Sequence, residues 1–184
     1  MIDLRYLLLA GLCGCASPGP TYTDLQGESH RPLHVGEAVA HAVVFITVDC
    51  PIANSYAPAI RDLAREFEPR GVDFFLVHVD PDVDESRARE HAVEFGHEVP
   101  VLLDPGHVLV EQLGVRITPE VALLDAGGEL VYLGRIDNGY AALGKKRPRP
   151  TSEDLRLAIE ALLAGRSVPV ARTEAVGCLI PDSL

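Results

Sequence analysis

Two cysteines have the type and the surroundings for covalent chemistry, and the first is Cys50. It stands between an apolar run over residues 41–48 and a segment whose apolar residues recur at helical spacing, so it is expected at a helix N-terminus. A helix N-terminus presents unpaired N–H groups and the positive end of the helix dipole, which both favour a thiolate. The sequence therefore predicts that Cys50 is a reactive nucleophile, stabilised by N–H groups between Ile52 and Asn54.

The second is Cys178, in the C-terminal tail. Cys50 has no partner cysteine close by in the sequence. Ala53 stands three residues after it, where a second cysteine would close a reversible disulfide. The tail, residues 168–184, is apolar around Gly177 and is expected to pack back on the domain. Cys178 is therefore the favoured resolving partner of Cys50, and a free C-terminal thiol is the alternative.

The N-terminal residues have the pattern of an export signal. Residues 1–15 contain one early arginine and an apolar run over residues 6–12, which is too short to span a bilayer. The sequence Leu-Cys-Gly-Cys that ends at Cys15 resembles the lipobox of bacterial lipoproteins, which implies that Cys15 is lipidated. A plain cleaved signal or an uncleaved anchor is the alternative. The pattern predicts an exported protein of the periplasm or cell envelope, with residues 16–23 as a linker.

The charge of the chain limits its partners. The formal net charge is −11 over 184 residues, which repels nucleic acid and anionic lipid at long range. Lys145, Lys146, Arg147 and Arg149 form an exception, and we interpret them as a solvated basic loop. No nucleic-acid partner is expected.

An alternation of strand and helix patterns predicts an α/β domain over residues 24–167. The predicted strands cover residues 41–48, 72–79, 99–104, 120–125 and 129–135, and the predicted helices follow Cys50 and cover residues 84–96, 107–114 and 151–165. Strand–helix repeats imply parallel pairing first, and the final hairpin implies antiparallel pairing. Thr151 or Ser152 is the expected N-cap of the last helix. The sequence thus predicts a central mixed sheet flanked by helices on both faces.

Three features give these elements a specific resemblance. Cys50 lies at a strand-to-helix junction, Pro58 follows where it would kink the helix, and Thr118-Pro119 precedes a strand. This arrangement resembles the thioredoxin-like superfamily, in particular redoxin domains of the AhpC/TSA-like and TlpA-like kinds, over residues 24–165. The resemblance implies a thioredoxin-like fold, thiol-based redox chemistry on protein thiols or disulfides, and a cis Pro119 against the active cysteine. It implies no cofactor.

Peroxide reduction is an alternative function for the same cysteine. The sequence Thr-Val-Asp-Cys-Pro, from Thr47 to Pro51, resembles the peroxidatic site of peroxiredoxins, an antioxidant family. That resemblance implies that Thr47 frames the thiolate and that an arginine contacts it, for which Arg116 is the first candidate and Arg135 the second. Val43 departs from the pattern, because peroxiredoxins carry a proline four residues before the threonine.

Copper binding is a third, non-enzymatic alternative. Sco-type copper chaperones resemble this chain in fold and location, and they bind copper through two cysteines of a C-x-x-x-C motif and a distant histidine. Asn54 stands at the position of their second cysteine. Thiolate ligands suit Cu(I), so Cys50, Cys178 and His107 are the candidate copper ligands on this interpretation. A catalytically inactive adaptor that keeps the fold is a further alternative.

The segment from residue 134 to residue 150 is long and polar for a connection between a hairpin and a helix. Its residues Arg135, Asp137, Asn138 and Tyr140 are candidates to line the site or to bind a partner. The sequence does not choose between these two roles.

Overall fold

The computed structural model describes residues 19–183. The predicted signal segment and the lipidation candidate Cys15 lie outside the described residues and stay predictions. The helices are α1 (Pro51–Ser55), α2 (Ala57–Phe67), α3 (Glu85–Phe95), α4 (Val108–Leu113) and α5 (Asp154–Leu163). The strands are β1 (Tyr22–Thr23), β2 (Ser29–His30), β3 (Ala40–Ile46), β4 (Val72–His78), β5 (Val101–Leu103), β6 (Ile117–Thr118), β7 (Glu120–Asp125), β8 (Leu130–Gly134), β9 (Tyr140–Ala142), β10 (Lys145–Lys146) and β11 (Cys178–Leu179). Within residues 19–183, no helix is long and apolar enough to cross a bilayer.

Five strands form the central sheet, in the order β5-β4-β3-β7-β8. β3 pairs in parallel with β4, which pairs in parallel with β5, whereas β7 runs antiparallel to both β3 and β8. All seven residues of β3 are buried, as its continuous apolar sequence indicates for a strand covered on both faces. The observed sheet is the predicted mixed sheet, with parallel pairing among the strands that alternate with helices.

Helices cover each face of the sheet. On one face, α2 and α5 contribute Ile60 and Leu155 to a core that includes Val44 of β3. On the other face, α4 contributes Leu109 to a second core that includes Phe45. Successive residues of β3 reach different cores because side chains alternate across a strand. The packed sheet thus provides a rigid base for the loop that leaves the C-terminal end of β3, where Cys50 lies.

The helical segment after Cys50 is divided in two at Tyr56. α1 ends there and α2 begins at Ala57, with Pro58 in its first turn. Proline has no N–H to donate and clashes with the preceding turn, so it is tolerated at the start of a helix and disrupts its interior. The kink predicted at Pro58 is therefore observed as a break, which leaves α1 as a short separate helix that begins directly after Cys50.

The start of α5 differs from the prediction. The helix begins at Asp154, and its N-cap is Glu153, which makes no side-chain capping hydrogen bond. The side chains of the predicted caps bond elsewhere: the Thr151 hydroxyl accepts from Asn138 Nδ2 at 2.8 Å, and the Ser152 hydroxyl donates to Asp154 at 3.0 Å. A tertiary contact has thus replaced the local capping that the sequence favoured.

Candidate active site

Cys50 is the N-cap residue of α1. Its backbone is extended, with φ −84° and ψ 105°, and its Sγ accepts a hydrogen bond from the N–H of Ala53 at 3.4 Å. This donor lies within the range of residues 52–54 that the sequence predicted. The side chain is 1% exposed. An N–H group directed at the sulfur favours the thiolate form, so the local geometry suits a nucleophile.

The Thr118-Pro119 turn lies against Cys50, as the family resemblance implied. The peptide bond between these two residues is cis. The Cys50 thiol donates to the Thr118 carbonyl oxygen at 3.1 Å. A hydrogen bond of 3.0 Å joins the Oγ1 atoms of Thr118 and Thr47, and both threonines are buried. Thr118 was not predicted as a site residue, because it acts through its backbone carbonyl, which its residue type does not reveal.

The C-terminal tail brings Cys178 to the same turn. β11 pairs antiparallel with β6, and Cys178 lies opposite Thr118 in this pairing. Gly177 permits the close approach, because a Cβ atom at that position would lie 2.0 Å from the Thr118 carbonyl oxygen. The sequence therefore needs glycine directly before the cysteine for β11 to reach β6.

A second set of contacts fixes the tail before β11. The N–H of Thr173 donates to the Leu133 carbonyl at 3.1 Å, and the N–H of Leu133 donates to the Ala171 carbonyl at 3.0 Å. The Thr173 hydroxyl also lies 2.7 Å from the Tyr132 hydroxyl and accepts from the N–H of Arg135 at 3.1 Å. The tail is thus docked on the outer edge of β8 as well as on β6.

Both cysteines are free thiols, with Cys50 buried and Cys178 half-buried. Burial raises the pKa of Cys178 to about 11, and the hydrogen bond to Cys50 and the charge of a Cys50 thiolate act in the same direction. Cys178 therefore keeps its proton at neutral pH and can donate a hydrogen bond to Cys50.

Asn54, which stands at the position of the second cysteine in Sco-type chaperones, holds the turn before Cys50. Its Nδ2 donates to the Val48 carbonyl at 2.9 Å, and its Oδ1 accepts from Nε2 of His91 at 2.9 Å. Asp80 accepts from the N–H of the same Val48 at 3.0 Å. Both backbone groups of Val48 are therefore bonded to side chains from other elements, which fixes the position of Cys50 two residues later. These contacts could not be predicted from residue types, because they join residues that only the fold brings together.

The segment 134–150 contacts α1 and carries a small hairpin of β9 and β10. The Tyr140 hydroxyl lies 2.9 Å from the Ser55 hydroxyl. Tyr56 donates its hydroxyl hydrogen to Asp137, and burial together with this bond raises the pKa of Tyr56. The segment therefore lies beside the helix that begins after Cys50.

The two candidate arginines differ in their surroundings. Arg116 is exposed, and its backbone N–H donates to Glu120 at 3.0 Å. Arg135 forms a two-point ion pair with Asp154, with Nε–Oδ2 and Nη2–Oδ1 distances of 2.8 and 3.3 Å. The hydrogen bonds of the Cys50 sulfur go instead to the backbone groups described above. The arginine contact implied by the peroxiredoxin resemblance stays a prediction.

His107 forms a hydrogen bond with the backbone just after β4. It is buried, its Nε2 lies 2.8 Å from the Val79 carbonyl, and it precedes α4 in the left-handed conformation with φ 56°. Across the described part of the chain, no group of three or more His, Cys, Asp or Glu side chains is placed to hold a metal ion. The structure brings Cys50 and Cys178 together without adding His107 to them, and copper binding stays a prediction.

Comparison with known proteins agrees with this geometry. The family model described as Redoxin matches residues 20–141. The thiol-disulfide oxidoreductase ResA of Halalkalibacterium halodurans is 26% identical over 108 residues, which cover 59% of this chain and 60% of that protein. The chain therefore spans less than two thirds of the length of this relative.

Solved structures share the fold over most of the chain. An uncharacterized conserved protein from Geobacillus kaustophilus has a TM-score of 0.77 at 25% identity, with 90% of each chain covered. A Chlorobium tepidum protein described as thiol:disulfide interchange protein DsbE has a TM-score of 0.63 at 18% identity, with 79% of this chain and 94% of its own covered. The predicted thioredoxin-like fold is confirmed. ResA is described as a thiol-disulfide oxidoreductase, which agrees with the predicted thiol-dependent oxidoreductase.

Proposed function

This chain belongs to the redoxin family, and from that premise we propose that it is a thiol-disulfide oxidoreductase with Cys50 as nucleophile and Cys178 as resolving thiol. One observation carries the proposal: the pairing of β11 with β6 sets Cys178 opposite Thr118, whose carbonyl oxygen accepts from the Cys50 thiol beside the cis Thr118-Pro119 bond. The described activities of ResA and DsbE support the reaction class.

In the first step, Cys50 reacts with a disulfide of a partner protein. Its thiolate attacks one sulfur, the disulfide bond of the partner breaks, and a mixed disulfide forms while the other sulfur leaves as a thiolate that takes up a proton. The N–H of Ala53 stabilises the Cys50 thiolate before the attack. Cys178 contributes by keeping its proton, so that it does not compete as a second thiolate.

In the second step, Cys178 releases the partner. It loses its proton and attacks the Cys50 sulfur of the mixed disulfide, so that a Cys50–Cys178 disulfide forms and the second partner thiolate leaves. The partner disulfide has then gained two electrons and two protons, and the two thiols of this chain have become one disulfide. When the partner is a dithiol, the same two steps proceed in reverse and the partner becomes oxidised. The redox potential of the compartment sets the direction.

A single-turnover experiment tests both roles. The full chain with Cys13→Ser and Cys15→Ser, which leaves Cys50 and Cys178 as its only thiols, is reduced and mixed with a synthetic peptide that contains one disulfide. Samples are quenched in acid, alkylated and analysed by mass spectrometry. We expect the peptide to be reduced while a Cys50–Cys178 disulfide forms.

Two variants assign the steps. Cys178→Ser is expected to accumulate a mixed disulfide between Cys50 and the peptide, and Cys50→Ser is expected not to react. Complete peptide reduction by Cys178→Ser would refute the resolving role, and a reactive Cys50→Ser would refute the nucleophile. Hydrogen peroxide in place of the peptide tests the peroxidase alternative, which rapid formation of a Cys50 sulfenic acid would favour.

We also propose that this chemistry takes place in the cell envelope, with the chain anchored by a lipid on Cys15. The support is the apolar segment of residues 1–15 and its resemblance to a lipobox. An oxidising compartment also lets protein disulfides persist. Labelling of expressing cells with a tagged fatty acid tests the anchor: Cys15→Ser should abolish the label, and Cys13→Ser should keep it. A label that survives in Cys15→Ser would contradict lipidation at this residue.

A further inference from the structure

An exposed group of basic residues lies on the β9–β10 hairpin. Lys145 and Lys146 form β10, and both are exposed, as is Arg149. They are the only two lysines of a chain whose formal net charge is −11. Among the described residues, neither lysine has a carboxylate partner in an ion pair. Unpaired positive charge on an otherwise acidic protein creates a local field that attracts anionic groups.

The hairpin is attached to the redox site. The Nζ of Lys146 lies 5.4 Å from the centre of the Tyr140 ring, and the Tyr140 hydroxyl lies 2.9 Å from the Ser55 hydroxyl. Ser55 is the last residue of α1, the helix that Cys50 caps. The hairpin therefore contacts the C-terminal end of α1, the short helix that begins after Cys50.

An open groove of about 420 Å³ runs from the hairpin to the tail. The hairpin lines it with residues 140–143 and Arg147, and the opposite wall consists of Ile117 and residues 174–177. Arg135 also lines the groove, where Glu174 is the one carboxylate among the lining residues. Gly177, the residue before Cys178, lines the groove, so a chain lying in it would lie beside that cysteine.

We propose that this groove binds an acidic, extended polypeptide segment of the redox partner, and that Lys145 and Lys146 select that segment by charge. The proposal rests on the proposed function, because it names the substrate class for the same pair of cysteines. Complementary charge at the rim of an interface speeds association and rejects wrong partners. Leu143, which lines the groove, is 68% exposed and offers apolar contact to such a segment.

Binding is measured first without redox chemistry. Fluorescence anisotropy compares cysteine-free peptides of one length with acidic, neutral and basic sequences, titrated with the reduced full chain. We expect the acidic peptide to bind about tenfold more tightly than the basic one at low ionic strength, and high salt to remove the difference. Lys145→Glu with Lys146→Glu should abolish the preference, and Lys145→Gln with Lys146→Gln should reduce it.

The control variant is Arg87→Glu with Arg89→Glu. It makes the same change in net charge on α3, which does not line the groove, and it should keep the preference. Equal loss in both glutamate variants, or an unchanged preference in the lysine variant, would overturn the proposal. Binding to anionic lipid vesicles is measured with the same variants. If the lysines are needed for vesicle binding and the acidic peptide is not preferred, the proposal is overturned and the basic residues are assigned to a lipid surface.

The redox readout is a ratio taken within each protein. Acidic and basic peptides that each carry a disulfide are reduced in single turnovers, and the acidic-to-basic rate ratio is expected to fall from about tenfold to near one in the lysine variant. A ratio that does not change would overturn the docking site. If no peptide is reduced at all, the proposed function fails, and the anisotropy result still decides whether the groove binds acidic segments.

Discussion

Cys178 lies opposite Thr118 across the β11–β6 pair, and the carbonyl of the same Thr118 accepts the hydrogen bond from the Cys50 thiol. One backbone position therefore places both cysteines. The second thiol of the pair arrives on a strand from the C-terminus rather than on the next turn of α1. The redox pair can consequently be separated by movement of the tail while α1 stays intact.

Gly177→Ala is expected to displace β11 from β6. The added Cβ would lie 2.0 Å from the Thr118 carbonyl oxygen and 2.8 Å from a methyl group of Ile117. We expect the resolving step to slow about tenfold or more, because the Cys178 sulfur loses its position, while the first attack by Cys50 continues. Quenched-flow mass spectrometry with the disulfide peptide measures both steps.

Gly106→Ala is the matched control for that variant. A Cβ at Gly106 meets no atom within 4 Å, and the backbone there is not left-handed, so wild-type rates are expected. A resolving step of wild-type speed in Gly177→Ala would show that docking of the tail through this glycine does not position Cys178.

The resolving step should accelerate with pH. Burial, hydrogen bonding to Cys50 and the charge of its thiolate raise the pKa of Cys178 to about 11, so the attacking thiolate of Cys178 is scarce at neutral pH. Below that pKa the thiolate fraction rises about tenfold per pH unit. Once Cys50 is in the mixed disulfide it carries no negative charge, so the pKa of Cys178 falls toward the value set by burial alone.

Stopped-flow measurement of Cys50–Cys178 disulfide formation from the preformed mixed disulfide tests this prediction. The rate constant should rise from neutral pH and level off below pH 11, with the midpoint reporting the remaining effect of burial. Cys178→Ser serves as the control, since its mixed disulfide should persist across the range. A flat profile would contradict a protonated resting Cys178.

Asn54→Ala should destabilise the protein and slow the first attack by Cys50. The change removes the donor to the Val48 carbonyl and the acceptor for His91, and leaves these partly buried groups unsatisfied. The free energy of unfolding should fall by about 1–3 kcal/mol, as measured by urea denaturation. Ser55→Ala, in the same helix, removes an exposed hydroxyl and should cost less than about 1 kcal/mol. Equal losses in the two variants would argue against a positioning role for Asn54.

Acid should weaken the fold through His91, which is buried, and His97, which is half-buried. Burial lowers the pKa of both His91 and His97 to about 4, with the charge of His78 acting in the same direction, so both rings are neutral in the folded protein at pH 7. Unfolded histidine has a pKa near 6.5, so below that pH the unfolded chain binds protons that the folded chain does not. Their contribution to stability is therefore complete above about pH 6.5 and is lost progressively as the pH falls toward 4.

His91→Gln tests this dependence. Glutamine can still donate to Asn54 but does not titrate, so the free energy of unfolding should fall less between pH 6.5 and pH 4 than it does in the wild type. His34→Gln, at an exposed position, should keep the wild-type profile. The prediction is wrong if His91→Gln and the wild type lose the same stability over that range.

Continuous local patterns made part of the structure predictable. β3 is apolar throughout and buried on both faces, so its sequence alone identified a central strand. The helix start at Cys50 and the break near Pro58 follow from local backbone chemistry, which acts within a few residues. For the same reason, the donor to the Cys50 sulfur could be restricted to three positions.

The contacts that complete the site could not be predicted, because they depend on the folded arrangement. β6 and β11 have two residues each, which is too short for any periodic pattern, and their pairing joins segments about 60 residues apart. The hydrogen bond between Asn54 and His91 links α1 to α3, and the residue types of these two positions do not predict that they pair. The N-cap prediction at Thr151 or Ser152 was wrong, because the Thr151 hydroxyl accepts from Asn138 Nδ2 and the Ser152 hydroxyl donates to Asp154.

The docked tail also affects how copies of the protein behave toward one another. By pairing with Leu133 it covers the outer edge of β8, the last strand of the central sheet. An uncovered edge presents unpaired N–H and C=O groups that readily pair with a strand of another chain. Displacement of the tail during turnover, or loss of the C-terminal residues, would open that edge to a second molecule. The segment that carries Cys178 therefore also protects the sheet against self-association.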